Sequence, residues 1–332
     1  MHIPDNYLSP STCAVMGAVM VPIWTISVRK VKKEITKKKM PLMGIGASLS
    51  FLTMMFNVPL PGGTTGHAVG GTLIAILLGP EAACISITIA LLLQALLFGD
   101  GGVLAFGANC FNMSFVIPFV GYYIYSFLKE RFKTRKGEYI STFIASYIGI
   151  NVAALCASIE LGIQPLLFKD TAGMPLYCPY PMSITVPSML VPHLLVAGVL
   201  EAIITVGVLS FIKKVSPDII YKGTTKKTKP IYGLIIGLIC LSPVGLLATG
   251  TAWGEWGPDE ISSVVTKGKA LGYVPKGIKN GFSFSSLLQD YSVKGLPDKF
   301  GYILSAVAGV AILLIVFRII ASMKKDNNSV NN

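Results

Sequence analysis

The sequence predicts an all-α protein, a polytopic bundle of about nine transmembrane helices, and three observations support this fold class. Of the 332 residues, 52% are hydrophobic and only 13% are charged, which is more apolar surface than one or two soluble cores need. Nine mostly apolar segments come close to the roughly 20 residues that cross a bilayer as a helix. The basic residues lie in short clusters at the ends of these segments. We therefore expect an integral membrane protein.

The distribution of the basic residues predicts the topology. A net charge of +12 can indicate a nucleic-acid partner, but 21 of the 28 Lys and Arg residues fall in four clusters beside apolar segments. This is the positive-inside pattern, and it needs no nucleic acid. The clusters lie at residues 29–39, 129–136, 213–229 and 318–325. With these clusters in the cytoplasm, the N-terminus lies outside and the C-terminus lies inside.

Length and hydropathy place the individual spans. They are predicted at residues 12–28, 40–56, 68–80, 81–98, 103–128, 139–164, 187–212, 231–250 and 301–320. The third span is weak, because only about a dozen apolar residues separate a glycine-rich stretch from Gly79 and Pro80. We keep it because its removal would put the second basic cluster on the wrong side of the membrane.

A polar, basic stretch divides the chain into two parts. Residues 1–215 form a predicted seven-helix core, and residues 216–230 form a cytoplasmic linker. Residues 231–323 form a two-helix accessory module with an extracellular loop at residues 252–300, and residues 324–332 form a cytoplasmic tail. In a signal peptide the positive charge precedes the apolar segment, whereas here it follows, so we expect the first helix to keep a free N-terminus outside.

Motifs for catalysis or nucleotide binding are missing. The stretch GGTTGHAVGGT at residues 62–72 is similar to a phosphate loop but lacks the lysine that such a loop requires. The stretch GDGGVLAFG at residues 99–107 does not match G-x-G-x-x-G and is typical of a turn between two spans. The six cysteines include no C-x-x-C pair. We expect no ATPase site and no organic cofactor.

The chain has three histidines, and two of them point to a metal site. His2 follows the initiator methionine, which should be retained because histidine is a large second residue. His67 lies in a glycine- and proline-rich stretch on the same predicted side of the membrane, where irregular backbone must be covered by protein. His2 and His67 can therefore meet.

Met1 and His2 together offer three nitrogen donors to one metal ion. The free amine of Met1, the backbone nitrogen of His2 and the Nδ1 atom of the His2 ring close two adjoining chelate rings in one plane. The ring of His67 is the natural fourth donor. Four nitrogens in a square favour Ni(II) or Cu(II), whereas Zn(II) prefers a tetrahedron. Protons compete for such donors, so metal binding should weaken in acid.

Among the polar residues within predicted spans, four are candidates for a specific role. Asn109 and Asn112 share one face of span five and are expected to hold the terminal loop or line the metal cavity. His193 and Glu201 share one face of span seven. Ionisable groups inside a membrane are costly, so each is expected to have a specific role. We expect these two to interact with another helix, although a proton relay between them would suit a self-powered secondary transporter. An intramembrane hydrolase is a third hypothesis, without a supporting motif.

Several stretches resemble the CbiM/NikM family, the substrate-binding membrane components of energy-coupling-factor cobalt and nickel transporters. The opening MHIPDNYLSP is the most specific of them. Further similar stretches are GTTGHAVGG with LGPEAA (63–83), FGDGGVLAFGANCFNM (98–113) and VPHLLVAGVLEA (191–202). After residue 250, TAWGEWGPDE resembles the fused NikN- or CbiN-type small component. Asn6 stands where the family usually has glycine, and Asn also tolerates left-handed backbone.

The resemblance implies a set of site residues. Met1, through its amine, His2, through its amide and ring, and His67 would be the metal ligands, with the terminal segment inserted into the helix bundle. Asp5 would fix the terminal loop or a ring N–H group.

The resemblance also implies partners, namely a coupling membrane subunit and two ATPase subunits. We expect the small residues Ala14, Gly17 and Ala18 of span one to form the docking face for the coupling subunit, with contact to a helix of the same chain as the alternative. The expected cargo is Ni(II), with Co(II) as the alternative, and the expected location is the plasma membrane of a prokaryote. The resulting prediction is a nickel-capture subunit that lacks its own ATPase.

Overall fold

The computed structural model describes residues 1–37, 39–61, 63–217, 219, 229–248, 250–266 and 268–324. Within these ranges, seven helices are long and apolar enough to cross a membrane, and two shorter helices accompany them. In chain order the nine helices are α1 (Pro10–Glu34), α2 (Met40–Met55), α3 (Gly71–Leu78), α4 (Pro80–Phe98), α5 (Phe106–Arg131), α6 (Arg135–Leu167), α7 (Met182–Val215), α8 (Lys229–Leu247) and α9 (Asp298–Met323). The predicted fold class, a polytopic helical bundle, is confirmed, but α2 and α3, at the second and third predicted spans, are shorter than the other seven.

In the described parts of the connecting segments lie two short hairpins and three helical turns. Strands β1 (Val58–Leu60) and β2 (Thr64–Gly66) pair antiparallel between α2 and α3. Strands β3 (Val265–Thr266) and β4 (Lys269–Ala270) pair in the loop between α8 and α9. The single helical turns of that loop are Pro258–Ile261, Lys276–Lys279 and Gln289–Tyr291.

The first helix begins at a well-formed cap. The Ser9 hydroxyl accepts a hydrogen bond from the backbone nitrogen of Thr12 at 3.0 Å, and Pro10 occupies the first helical position. Both features satisfy or remove backbone N–H groups that a helix start leaves unpaired. The nine residues before α1 are therefore a separate segment that ends at the Ser9 cap.

The weak third span is a short helix between two glycines. Gly70 (φ 72°) precedes α3 and Gly79 (φ 92°) ends it, and both angles favour residues without a side chain. Eight residues rise only about 12 Å, whereas the hydrocarbon core of a bilayer is about 30 Å thick. Helix α3 alone does not cross a membrane.

The accessory module packs on the centre of the core through α9 and α2. Nearly all of α2 is buried, which is why its sequence lacks a polar face. A Cβ atom added to Gly309 would lie 2.3 Å from the ring of Phe51, and one added to Gly44 would lie 3.0 Å from the Cβ atom of Phe317. Glycine on each helix thus lets an aromatic ring of the other approach closely.

Three helices contain π-helical segments, Gln94–Phe98 in α4, Cys110–Val116 in α5 and His193–Ala197 in α7. Such segments often mark functional sites because they redirect side chains. The first ends at Gly99, directly before the loop that contacts the N-terminus. Most of the predicted linker and the tail after Lys324 lie outside the described residues.

Candidate metal centre

The first residues of the chain are buried within the helix bundle. Met1 and His2 are each 5% exposed, and Ile3 is 1% exposed. Chain ends are usually solvated unless specific contacts hold them in place. The N-terminal amine of this protein is therefore part of an internal site.

Asn109 and Gly102 hold the terminal segment by its backbone. The side-chain oxygen of Asn109 accepts from the Ile3 nitrogen at 2.7 Å, and its amide donates to the Ile3 oxygen at 3.0 Å. The Gly102 nitrogen donates to the same oxygen at 2.9 Å. A Cβ atom on Gly102 would lie 2.5 Å from the Asp5 nitrogen, so only glycine permits this approach.

Asp5 and Asn6 fix the turn that follows. The Asp5 carboxylate accepts from the backbone nitrogens of Val103 at 3.1 Å and Leu104 at 2.7 Å. Asn6 adopts left-handed backbone (φ 69°), and its side chain exchanges two hydrogen bonds with the backbone of Phe282 at 2.8 and 2.9 Å. Asp5 therefore contacts backbone N–H groups rather than a histidine ring.

His67 reaches the terminal segment from the loop after β2. Its Nε2 atom lies 3.2 Å from the Nδ1 atom of His2, and the two ring centroids are 5.0 Å apart. Its Nδ1 atom lies 3.2 Å from the Ala68 oxygen, to which it donates when protonated there. Burial, the positive N-terminus and His2 together hold the pKa of His67 well below its usual range, so the ring is neutral at pH 7.

Glu201 holds the backbone that follows His67. Its carboxylate accepts from the Val69 nitrogen at 2.7 Å and from the Gly70 nitrogen at 3.0 Å. The side chain is fully buried, and these N–H groups replace the water that a carboxylate needs. Helix α7 thereby fixes the loop that carries His67.

Two further carboxylates contact the N-terminal residues. Asp100 Oδ1 lies 3.0 Å from His2 Nδ1, and Glu255 Oε1 lies 3.7 Å from the Met1 nitrogen. Burial raises the pKa of the Asp100 carboxyl, but the nearby His2 lowers it by more. The pKa of Asp100 therefore lies well below its usual range. Gln94 and Tyr291 donate to Asp100 Oδ2 at 2.9 and 2.5 Å. Two carboxyl groups thus lie beside the amine and the ring.

The separation of the two ring nitrogens would allow both to contact one metal ion. Two adjacent donors with metal–nitrogen bonds of about 2.0 Å at right angles lie about 2.8 Å apart, and His2 Nδ1 and His67 Nε2 are 3.2 Å apart. Within the described residues, no group of three or more His, Cys, Asp or Glu side chains is arranged to hold a metal ion. A site here therefore depends on backbone nitrogens as well as on imidazoles.

The other predicted residues lie further from the two rings. Asn112 donates to Glu160 Oε2 at 2.8 Å, one turn beyond the residue that holds Ile3. Ala14 and Ala18 are exposed on α1. Gly17 is half-buried, and a Cβ atom on Gly107 of α5 would lie 2.5 Å from its backbone nitrogen. The small residues of α1 thus make one contact within the chain and leave two positions open.

His193 and Glu201 do not contact each other as a pair. Glu201 bonds to the backbone before α3, as described above. The His193 Nδ1 atom lies 2.7 Å from the Met189 oxygen of its own helix, and its Nε2 atom is buried with no partner among the described residues. The expected interaction with a different element is found for Glu201 and not for His193.

Sequence reasoning missed Asp100 and Glu255 as neighbours of the N-terminus, and Tyr291 as a hydrogen-bond donor to Asp100. Asp100 carried a usable signal, because it is an acidic residue in a glycine-rich turn on the same predicted side as His2. Glu255 and Tyr291 lie in the accessory-module loop, and no local pattern links that loop to the first residue of the chain.

Comparison with known proteins assigns the family. Residues 2–219 match the model of the CbiM family, described as the cobalt uptake substrate-specific transmembrane region. This match covers the terminal segment, both histidine rings and Glu201. The chain belongs to the CbiM family. Residues 227–326, which contain α8 and α9, match the PDGLE domain.

Two relatives named as fused nickel transport proteins match nearly the whole chain. The protein is 52% identical to the "Probable fused nickel transport protein LarMN" of Lactiplantibacillus plantarum, over 96% of this chain and 97% of that protein. It is 42% identical to the "Fused nickel transport protein NikMN" of Rhodobacter capsulatus, over 95% of each. A crystal structure of a truncated transition metal transporter has 55% identity and a TM-score of 0.61, covering 64% of this chain and 99% of that one. This CbiM-family chain is thus a multi-pass membrane protein of a prokaryote.

Proposed function

We propose that this chain is the substrate-capture membrane component of an ATP-driven, energy-coupling-factor nickel uptake transporter. Ni(II) binds in a square of nitrogens from the Met1 amine, the His2 amide and ring Nδ1, and the His67 ring. The observation that carries the proposal is the 3.2 Å separation of the two imidazole nitrogens beside a buried N-terminus. The donor nitrogens are buried away from water, so the geometry of these nitrogens determines which metal ion binds best.

Nickel is favoured over cobalt for two reasons. A planar arrangement of four nitrogens suits Ni(II) well, and Co(II) has less preference for it. In addition, the two relatives quoted above that cover nearly the whole chain are both named as nickel transport proteins. A "Cobalt transport protein CbiM" of Geobacter sulfurreducens is 27% identical over 80% of this chain. Cobalt is the alternative cargo of the same proposal.

The chain divides into a metal-binding core of residues 1–215 and a NikN- or CbiN-like module of residues 231–323 in this proposal. The module loop contributes Glu255 beside the amine, which supports a role in loading or release. Ala14, Gly17 and Ala18 form the docking face for the coupling subunit. Exposure of Ala14 and Ala18 on a helix with few buried residues supports that face.

ATP hydrolysis is assigned to two partner subunits, because the chain has no phosphate loop with its lysine. The rival hypothesis, a self-powered transporter with a His193–Glu201 proton relay, has less support. Glu201 is held by two backbone N–H groups, and His193 bonds to its own helix.

Sealed vesicles that contain this chain alone test whether nickel uptake depends on the partner subunits. We expect nickel bound to the protein but none accumulated in the lumen, and accumulation only after the coupling and ATPase subunits with ATP are added. Accumulation by the chain alone, driven by a proton gradient and abolished by Glu201→Gln, would establish the rival instead.

A further inference from the structure

A second imidazole environment lies next to the N-terminal site. His193 is 5% exposed and belongs to the π-helical segment of α7. Its Nδ1 atom bonds to the Met189 oxygen at 2.7 Å, which requires a proton on Nδ1 and leaves a lone pair on Nε2 of the neutral ring. Metal-binding histidines are commonly oriented in this way, with one nitrogen donating to a backbone carbonyl and the other free.

The Nε2 atom of His193 takes no part in the hydrogen bonds that hold the N-terminal segment or the loop of His67. This nitrogen is buried and lacks a hydrogen-bond partner within the described residues. Leaving a buried polar atom unpaired costs free energy, unless a water molecule or a ligand binds to it. His193 also lines a small cavity of about 10 Å³ together with Met1, Thr64 and Trp253. That volume is close to the space needed for one water molecule. The same cavity is therefore lined by His193, whose Nε2 atom has no partner among the described residues, and by Met1, whose amine is a proposed metal ligand.

A wider cavity adjoins the small one. It has a volume of about 520 Å³ and lies between the β1–β2 hairpin, the first half of α7 and the loop after α8. Thr64, Ser188, Pro192 and Trp253 line both cavities. The two cavities form a funnel at the end of the bundle that the charge pattern assigns to the outside, with His193 at the narrow end.

We infer that this funnel is the access route for the hydrated divalent ion and that His193 is a transient metal ligand on it. The narrow cavity is too small for an ion with a full water shell, so the ion must shed water before it passes. His193 Nε2 donates its lone pair to the ion as one water leaves, and later yields the ion to the Met1, His2 and His67 donors. No electrons are transferred: each nitrogen that binds displaces one water, the remaining waters leave as the four-nitrogen complex forms, and the protons lost from the amine and the His2 amide pass to water. The inference rests on the proposed metal site.

A transient ligand changes rates rather than equilibrium affinity. It lowers the barrier between the funnel and the final site, and the same barrier is crossed on binding and on release. His193→Asn is the suitable variant, because its side-chain amide can still donate to the Met189 oxygen while the Nε2 atom is absent. Thr205→Val is the matched control, since Thr205 is also a buried residue of α7, about three turns away from His193, and its hydroxyl has no partner in the described part of the chain.

Stopped-flow absorption with nickel(II) chloride and the full chain with a native N-terminus tests the inference. We expect His193→Asn to slow nickel binding and nickel release by at least about tenfold each, with the final spectrum and the equilibrium affinity unchanged. Ser188→Trp, which fills the neck shared by the two cavities, should slow both rates as well. Thr205→Val should match the wild type.

Three results would overturn the inference. The first is wild-type rates in His193→Asn. The second is a loss of affinity or an altered spectrum in that variant, which would give His193 a role in the final site or in its folding. The third is a normal rate in Ser188→Trp, which would exclude this route. If the wild type itself forms no nickel complex sensitive to His67→Ala, the proposed function fails, and the access route fails with it.

Discussion

Asn109 pairs with Ile3 as a neighbouring strand would, accepting from its backbone nitrogen at 2.7 Å and donating to its backbone oxygen at 3.0 Å. One side chain of α5 thus satisfies both backbone groups of a residue next to the proposed chelate. Because His2 directly precedes Ile3, this pairing fixes the direction in which the ring and amine of the terminal segment point. The position of the chain end is set by a specific contact rather than by burial alone.

Replacement of Asn109 by alanine should release the terminal segment. Two buried backbone groups lose partners, although Gly102 still donates to the Ile3 oxygen. We expect nickel affinity to fall by about 10- to 100-fold, in the range found when residues that orient metal ligands are removed. Titration calorimetry of the full chain measures the change. Asn112→Ala, which removes a partner of Glu160 instead, should leave nickel affinity within a few fold of the wild type.

A methyl group at Gly102 should have a similar effect for a different reason. Its Cβ atom would lie 2.5 Å from the Asp5 nitrogen, so the terminal segment has to move away. We expect Gly102→Ala to bind nickel at least about tenfold more weakly. Gly207→Ala is the control, because a Cβ atom there meets nothing within 4 Å. Equal affinities of the two variants would show that the close approach at Gly102 is unimportant for the site.

Glu201 should prove to be a positioning residue for His67. In Glu201→Gln only one oxygen remains as acceptor, and the amide N–H₂ group must face backbone N–H groups of Val69 or Gly70. An unsatisfied buried group costs about 1–3 kcal/mol, so we expect lower thermal stability and about tenfold weaker nickel binding. Absorption spectra of the nickel complex should also shift. Glu160→Gln, another buried carboxylate change, keeps an acceptor for Asn112 and should leave the spectrum intact.

The helical bundle and the meeting of His2 with His67 can be predicted from the sequence. Hydropathy and basic clusters predict the helical bundle, because lipid imposes length and charge rules on each span separately. The proximity of His2 and His67 was expected because topology puts both on one side of the membrane. The shortness of α3 follows from Gly70 and Gly79, whose positive φ angles can be anticipated in a glycine-rich stretch.

Contacts between distant segments could not be predicted in the same way. Tyr291 donates to Asp100 across nearly two hundred residues, and Glu201 reaches Val69 from a different helix. Each depends on how two elements are placed side by side, and a single sequence carries no local signal of that placement. Asn109 was expected at the terminal loop together with Asn112, but the turn between them directs Asn112 to Glu160 instead.

Nickel binding should release protons and weaken in acid. Coordination through the His2 backbone nitrogen requires its N–H proton to leave, and the amine must also be unprotonated. The lowered pKa of His67 means that this ring is already neutral at pH 7 and stays neutral into mildly acidic solution. Proton competition therefore comes from the other donors. Calorimetry in buffers of different ionisation enthalpy should detect at least one released proton, and none would contradict coordination by the amide.

The most direct test is the nickel content and visible absorption of the purified full chain with its native N-terminus, beside a variant with one alanine inserted between Met1 and His2. The insertion changes the chelate-ring sizes and moves the His2 ring away from His67 Nε2. Our account predicts stoichiometric nickel with a planar four-nitrogen spectrum in the wild type, and loss of both in the insertion variant and in His67→Ala. Unchanged nickel affinity and spectrum in the insertion variant would contradict it.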